Sequence, residues 1–322
     1  MAGMGANIIR RSEALRRGAT DQELQRQCRN GSWLRLRPGT YASQAELDAL
    51  DAAAVHRLQA EATACAASPG AVLSYQSAAV VHALDMWNTP LDVVHLTRNR
   101  RSGGSRTRRR HVHSAALRPD EVTAVGGLRV TTVARTVLDL ARSLPFEQAV
   151  VSGDHALHST ALTLAELQDA SDALPVHAGR NRARRVVDLL DGRAESVGES
   201  RSRVLLIREQ LPIPACQPNL YAADGTHLGR VDFLFEERGV VGEFDGRVKY
   251  GRFVPEGRTA ADVLWAEKQR EDAIRAAGWQ VVRWVWDELA TPSVIVDRIA
   301  GAFERARLCP RPSGRVEHTP QP

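Results

Sequence analysis

Three acidic residues in one short segment are the first candidates for chemistry. Asp232, Glu243 and Asp245 lie in VDFLFEERGVVGEFDG, residues 231–246, where apolar and polar residues alternate on both sides of a turn. The alternation predicts two antiparallel strands. A two-residue turn at 237–238 sets Asp232 opposite Glu243, and one at 238–239 sets it opposite Asp245; both registers put the carboxylates on one face. A longer turn with a bulge would loosen this prediction.

Carboxylates placed this close to one another need screening or a compensating charge. Directly opposed residues have Cβ atoms about 4.5–5.5 Å apart, and like charges there destabilise the pair. Water, a neighbouring arginine or a divalent cation could each compensate. The apolar residues between the acids indicate a sheet inside a domain, and Mg²⁺ binds one or two carboxylates together with water and phosphate. We therefore predict a Mg²⁺ site, with Mn²⁺ as the alternative ion, at Asp232 and Glu243.

A further acid and the neighbouring elements extend this pattern. Glu199 lies on a predicted helix upstream of the hairpin, and the helix AEKQREDAIRAAGW and the strand QVVRWVWDEL follow it. This order, over residues 195–289, resembles the PD-(D/E)XK nuclease superfamily and its subgroup related to very-short-patch-repair endonucleases. The resemblance implies that Asp232, Glu243 and the carbonyl of Phe244 hold Mg²⁺, and that Glu199 completes the catalytic set through water.

Two positions depart from the pattern of that superfamily. Asp245 stands where many members have a lysine, and Lys249 stands where relatives often have a histidine. A lysine could stabilise a pentavalent phosphate by its charge, which an aspartate cannot do. We therefore assign a catalytic role to Lys249 and treat Asp245 and Lys268 as secondary candidates. Glu199 could instead cap its helix, and Lys268 could pair with Asp272 one helical turn later.

The N-terminal residues predict a DNA-binding module. Residues 1–45 contain eight arginines and three acids, an excess equal to the net charge of +5 of the whole 322-residue chain. A helix ending at Gly18, a second helix opened by a capping box at Thr20, and the basic segment WLRLRPGTYA predict a winged helix-turn-helix. A solvated basic face is the alternative. The candidate DNA contacts are Gln22, Gln25, Arg26 and Arg29 on the second helix and Arg35 and Arg37 on the wing.

The same stretch also carries a family resemblance. The order ATDQELQRQCRNGSWLRLRPGTYAS is similar to the N-terminal winged helix of the AbiEi-type antitoxins of type IV toxin–antitoxin systems, and the succession of elements after it resembles their central region. The resemblance implies that the N-terminal module binds promoter DNA and that the central region is a scaffold.

The middle of the chain contains two further features that could bind ligands. Seven arginines between residues 98 and 110 predict either a phosphate-binding hairpin loop or a solvated turn, since no aromatic residue interleaves with them. His111 and His113 are two apart on a predicted strand, and His155 and His158 are three apart on a predicted helix. Either pair has metal-ligand spacing. Without carboxylate or cysteine partners nearby, we expect ordinary hydrogen-bonded histidines.

The whole chain predicts a multidomain α/β protein. We expect a winged helix-turn-helix at 1–44, a mixed α/β domain at 45–190, a nuclease-like domain with a mixed sheet flanked by helices at 191–306, and a disordered tail at 307–322. The four cysteines are far apart and form no CxxC pair. No long apolar run and no signal peptide is visible, so we expect a cytoplasmic protein without a membrane partner.

These features predict a Mg²⁺-dependent DNA endonuclease that hydrolyses phosphodiester bonds and is guided by its winged helix. The alternative is a non-catalytic regulator, an AbiEi-like antitoxin or repressor that binds its own promoter. DNA is the partner in both cases. A toxin partner and a homodimer are each compatible with both functions.

Overall fold

The chain forms two compact units of mixed α/β structure. The first contains the residues up to 152 and residues 165–187, and the second contains residues 153–164 and 188–322. The computed structural model describes residues 9–100, 102–175, 179–246 and 259–321, without the side chains of Arg37 and Ala260. The predicted α/β multidomain class is confirmed. No helix in these ranges is both long and apolar enough to cross a membrane.

The N-terminal module consists of two short helices and a three-stranded antiparallel sheet of order β1-β3-β2. Its elements are β1 (Ile9–Arg10), α1 (Arg11–Arg16), α2 (Asp21–Arg29), β2 (Trp33–Arg37) and β3 (Thr40–Ser43). The predicted capping box is present, because Thr20 Oγ1 accepts from the Glu23 N–H and the Glu23 carboxylate accepts from the Thr20 N–H. Ile9 lies in β1 opposite Tyr41, where the two side chains pack in one apolar cluster.

The rest of the first unit is built on a six-stranded mixed sheet of order β6-β7-β5-β4-β9-β8. Its strands are β4 (Ala71–Leu73), β5 (Val94–Asn99), β6 (Ser105–Arg106), β7 (Arg110–Ala115), β8 (Val122–Val125) and β9 (Leu128–Thr131). Its helices are α3 (Gln44–Asp48), α4 (Ala52–Ala64), α5 (Tyr75–Val81), α6 (Val133–Ser143), α8 (Leu164–Asp172) and α9 (Arg180–Val187). Helix α7 (Phe146–Ser159) contributes residues to both units.

The second unit is built on a four-stranded sheet of order β10-β13-β14-β15, in which β14 and β15 are parallel. Its strands are β10 (Ala215–Cys216), β11 (Asn219–Tyr221), β12 (His227–Arg230), β13 (Phe233–Phe235), β14 (Val240–Asp245), β15 (Gln280–Val285) and β16 (Arg315–Glu317). Its helices are α10 (Val197–Arg208), α11 (Ala260–Ala276) and α12 (Pro292–Arg307). The apolar residues of α10 and α12 pack on one sheet face and those of α11 on the other.

The end of the chain differs from the disordered tail predicted for residues 307–322. Arg315–Glu317 pairs antiparallel with β11 and completes a second sheet of order β12-β11-β16. Val316 stands opposite the fully buried Leu220 and packs against the same apolar cluster. The proline-rich composition of the tail predicts disorder. Composition alone does not reveal the apolar contact of Val316 or the edge of β11 with which the tail pairs.

Candidate active site and nucleic-acid interface

The acidic hairpin puts Asp232 and Glu243 on the same face of the four-stranded sheet. Strands β13 and β14 pair antiparallel with Phe233 opposite Gly242, and this register continued by one residue sets Asp232 opposite Glu243. The connection is longer than predicted, because the four residues 236–239 link the strands through a 3-10 turn. The register is still that of the first predicted alternative, and the carboxylates are not splayed to opposite faces.

Neutral hydrogen-bond donors orient the Asp232 carboxylate. The Phe244 N–H donates to Asp232 Oδ2 at 2.8 Å, and Gln217 Nε2 donates to Oδ1 at 3.3 Å. The side chain of Asp232 is half-buried beside these donors. Because one donor is the backbone of the strand that bears Glu243, the position of the first carboxylate is fixed relative to the second.

Glu243 is buried in an environment that disfavours its negative charge. Its side chain is 13% exposed. Burial and the neighbouring Asp232 raise the pKa of Glu243 to about 7. Two arginines act in the opposite direction: Arg270 Nη2 lies 3.2 Å from Glu243 Oε1, and Arg283 stands beside Glu243 on the parallel strand β15. The raised pKa shows that these cations do not fully compensate the burial and repulsion of this carboxylate.

The two acids line a cavity of about 630 Å³ in which carboxylates are in excess. The acids of its wall are Glu195, Glu199, Asp232, Glu243, Asp245 and Glu267, and the cations are Arg230, Arg270 and Arg283. Several of these charges pair with one another, as Arg230 does with Glu195 at 2.8 Å. Six acids against three arginines leave the described wall with an excess of negative charge. A cation of small size could bind there.

Glu199 reaches this cavity, but its carboxylate is already hydrogen-bonded on both oxygens. Ser196 Oγ donates to Oε1 at 2.7 Å, and the Glu195 N–H and Gln217 Nε2 each donate to Oε2 at 2.9 Å. Ser196 also caps α10 by accepting from the Glu199 N–H. The geometry therefore favours the helix-capping interpretation of Glu199, with any influence on Asp232 transmitted through the amide of Gln217.

Sequence reasoning missed Gln217. The antiparallel pairing of β10 with β13 sets Cys216 opposite Phe233, which brings the next residue, Gln217, beside Asp232. The Gln217 amide then donates to both Glu199 and Asp232. No sequence motif marks this residue. A pairing of β10 with the acidic hairpin would have been the signal, and two residues are too few to predict a strand.

Of the remaining candidate site residues, Asp245 lies at the cavity and Lys268 does not. Asp245 lies at the end of β14, on the same sheet face as Glu243, and lines the cavity. Lys268 is exposed on α11, whereas Glu267 and Arg270 of the same helix line the cavity. The helical period turns Lys268 away from the face that packs on the sheet, so the structure does not bring this secondary candidate into the site. Lys249 lies outside the described residues.

The predicted DNA-contacting residues lie on an exposed face of the N-terminal module. Leu24 of α2 is buried, which turns the opposite side of this helix to solvent. The exposed side chains are Gln22, Gln25, Arg26 and Arg29 on α2 and Arg35 on β2. Arg37 ends β2, and its side chain lies outside the described residues. The exposure that DNA binding requires is present, and the binding itself stays a prediction.

The arginine-rich segment is not a hairpin between the two predicted strands. Strands β5 and β7 are parallel, and β6 forms the antiparallel hairpin with β7. The chain that joins two adjacent parallel strands must return to the starting end of the sheet, and β6 forms part of this connection. Arg109 in the short β6–β7 turn donates from Nη1 to the Arg35 carbonyl of β2 at 2.9 Å. The segment thus contacts the wing strand, and both its phosphate-binding and its solvated interpretation stay open.

Both histidine pairs contain hydrogen-bonded rings, as expected, and one pair is also part of a larger cluster. His155 lies near Ser159 Oγ at 3.3 Å, and His158 Nδ1 lies 3.1 Å from the Gly192 carbonyl oxygen, as expected for ordinary hydrogen-bonded histidines. His111 and His113 are joined by His95 from the neighbouring strand. In the described part of the chain, this trio is the one group of three potential ligands whose donor atoms all lie within 4.8 Å of one another. The predicted acids Glu199, Asp232 and Glu243 do not converge so closely.

No family model matches the chain. Two proteins of Mycobacterium tuberculosis are similar to it: uncharacterized protein MT2308 of strain CDC 1551 / Oshkosh and uncharacterized protein Rv2248 of strain ATCC 25618 / H37Rv. Each is 27% identical over 297 residues, which cover 90% of this chain and 99% of the relative. The crystal structure of RV2827C protein from Mycobacterium tuberculosis matches with a TM-score of 0.38 and 13% identity, over 56% of this chain and 71% of that chain. The similarity to the two relatives therefore extends over both units.

Proposed function

We propose that the protein is a Mg²⁺-dependent DNA endonuclease of the PD-(D/E)XK type, with a catalytic site in the second unit and an AbiEi-like winged helix that binds DNA. The observation that carries the proposal is the pairing of Asp232 and Glu243 on one sheet face, at a cavity in which carboxylates exceed guanidinium groups. A buried carboxylate with a strongly perturbed pKa in a cleft is typical of functional sites.

The donor atoms suit a hard divalent cation. Mg²⁺ prefers oxygen ligands and is usually held by one or two carboxylates together with water and substrate phosphate. Asp232 and Glu243 would supply the carboxylates, and the Phe244 carbonyl a further oxygen. The raised pKa of Glu243 supports this fit, because a divalent cation between the acids would stabilise the ionised form that burial and the neighbouring Asp232 disfavour. Mn²⁺ has the same ligand preference and is the alternative ion.

The residues of the cavity would have separate tasks in phosphodiester hydrolysis. Asp232 and Glu243 would hold the cation, and Gln217 would keep Asp232 oriented through its hydrogen bond to Oδ1. When bound, Mg²⁺ would lower the pKa of a water molecule and neutralise the charge that develops on the phosphate. Arg270, released from its contact with Glu243, could then bind a phosphate oxygen of the DNA backbone.

Plasmid cleavage tests this proposal. The full-length protein should convert supercoiled plasmid to nicked or linear product with Mg²⁺ and not with EDTA. Asp232→Asn should abolish cleavage, because the amide removes a negative charge from the cation site. Asp224→Asn is the matched control, since Asp224 is an exposed turn residue whose carboxylate accepts from the Thr226 N–H. Metal-independent cleavage, or cleavage retained by Asp232→Asn, contradicts the proposed mechanism.

A second candidate function is a non-catalytic DNA-binding regulator of the antitoxin type. The ion pair between Arg270 and Glu243 specifically favours it, because a permanent guanidinium partner supplies part of the positive charge that a metal ion would provide. Asp245, in the position where the nuclease pattern has lysine, points the same way. Sequence-specific binding to duplex DNA that needs no Mg²⁺, without cleavage under any metal condition, would favour this candidate.

A further inference from the structure

Three histidines of the first unit meet on one face of the six-stranded sheet. His95 lies on β5, and His111 and His113 lie two residues apart on β7, so that both point to the same side of their strand. The parallel register sets His95 opposite His111 and Thr97 opposite His113. Val112, between the two histidines, points to the opposite face and is buried in the core. The topology of the sheet thus brings together residues that sequence spacing separates.

One pair of ring nitrogens, hydrogen-bonded to each other, lies close to the separation of two ligands around one metal ion. His95 Nδ1 lies 3.0 Å from His113 Nε2, and the donor atoms of all three histidines lie within 4.8 Å of one another. Tetrahedral zinc with metal–nitrogen distances of about 2.0–2.1 Å places its nitrogen ligands roughly 3.3–3.4 Å apart. The pair formed by His95 and His113 is already close to this separation, and a rotation of the half-buried His111 ring would bring in the third nitrogen.

Tyr75 packs against the His113 ring, and burial disfavours the charged form of all three imidazoles. Tyr75 stacks on His113 with ring centroids 4.0 Å apart, and its backbone has a φ of 52°, in the left-handed region that a tyrosine rarely adopts. Burial, with the neighbouring histidines, lowers the pKa of His95 to about 4 and that of His113 to about 3. Burial also lowers the pKa of His111. Neutral imidazole is the form that binds metals.

We propose that His95, His111 and His113 form a binding site for one zinc ion, separate from the acidic cavity of the second unit. Three imidazoles without a carboxylate select zinc and similar transition metals and not Mg²⁺. Three protein ligands leave the fourth position of a tetrahedral ion open. Arg106 and Arg142 influence the histidines electrostatically, and their positive charge favours an anion, such as hydroxide or phosphate, as the fourth ligand.

Metal titration of the full-length protein tests the site. After treatment with EDTA and dialysis, the protein should bind one Zn²⁺ per chain at this site, measured by competition with a chromophoric chelator. Co²⁺ in its place should give the intense visible absorption of tetrahedral cobalt. His95→Gln and His111→Gln should each weaken Zn²⁺ binding by about 100-fold or more, since even outer-shell changes cost about 10–100-fold. The control His227→Gln, an exposed residue of β12, should bind like the wild type.

Thermal unfolding provides the second measurement. Zn²⁺ should raise the Tm of the wild-type protein and of His227→Gln, because an ion that binds only the folded state stabilises it. It should not raise the Tm of His111→Gln, whose half-buried ring makes this the mildest of the changes for the fold. Equal Zn²⁺ affinity in the wild type, His95→Gln and His111→Gln would overturn the proposal. So would a cobalt spectrum that stays that of the hydrated ion.

Discussion

Replacement of Glu243 by glutamine should stabilise the second unit at neutral pH. Burial and Asp232 raise the pKa of Glu243 from its ordinary value of 4.5 to about 7. The folded state therefore binds this proton more tightly than the unfolded state does. The stabilisation that this tighter proton binding provides is fully present below about pH 4.5. It is lost as the pH rises towards 7, where the buried carboxyl ionises. Glutamine resembles the protonated side chain and removes the loss.

The size of the effect follows from the two pKa values. The pKa of Glu243 is about 7 in the folded state and 4.5 in the unfolded state, a difference of about 2.5. One pKa unit corresponds to about 1.4 kcal/mol, so ionisation of Glu243 lowers the free energy of unfolding by about 3 kcal/mol. Solvent screening reduces this little, because the side chain is 13% exposed. Mg²⁺ at about 100 times its dissociation constant should stabilise the wild type by about 2.7 kcal/mol. The variant lacks one carboxylate ligand and should gain much less.

Urea unfolding between pH 4.5 and 8 measures both effects. Tryptophan fluorescence reports mainly on the second unit, which contains four of the six tryptophans. Glu243→Gln should equal the wild type in stability at pH 4.5 and exceed it by about 3 kcal/mol at pH 8. The control Glu237→Gln, an exposed turn residue, should follow the wild type throughout. If the wild type and Glu243→Gln have the same pH dependence, burial and Asp232 do not oppose the ionisation of Glu243, and the physical basis for the cation site is lost.

Three further substitutions test the packing of α10, a buried ion pair of the second unit and the proposed DNA contact of α2. Gly198→Ala should lower the urea midpoint, because a Cβ at Gly198 would lie 1.9 Å from the Phe244 ring and overpacking costs about 1–3 kcal/mol, more than the helix propensity gained. Arg203→Met should destabilise the second unit by about 3–5 kcal/mol, measured by the same unfolding experiment, because it leaves the fully buried Asp154 without its guanidinium partner at 2.7 Å. Arg26→Gln should reduce the slope of log K against log salt by about 0.9 in fluorescence anisotropy with duplex DNA, if this side chain neutralises one phosphate.

Local patterns were enough to predict the elements that hold the acidic site. Short apolar runs flanked by acids predict β13 and β14, and the two-residue period of a strand sets Asp232 and Glu243 on one face whichever two-residue turn is chosen. The turn itself was predicted wrongly, since 236–239 forms a 3-10 turn that ends at Gly239 with a φ of 66°. The shared face survived because side chains alternate between the two faces along each strand, so pairing Asp232 with either Glu243 or Asp245 leaves all three carboxylates on one face.

Contacts between distant parts of the chain could not be predicted in the same way. Gln217 reaches Asp232 only because β10 pairs with β13, and His95 reaches His113 only because β5 and β7 are parallel neighbours. Each case joins residues through a strand pairing that no local pattern specifies. Lys268 shows the opposite error, in which a residue near the acids in sequence is turned outward by the helical period.

The cost of the charges around Glu243 argues for a ligand at the acidic cavity. Natural sequences are easily stabilised at sites that function does not constrain, and a neutral residue here would remove about 3 kcal/mol of ionisation cost at neutral pH. Asp245 adds another acid to the same sheet face and increases the negative potential. Arg270 pairs with Glu243, but the raised pKa of Glu243 means that this ion pair does not fully offset the cost of its charge. Local arrangements that oppose stability are expected at functional sites, and the cost of ionising Glu243 is such an arrangement at the cavity where we propose a cation.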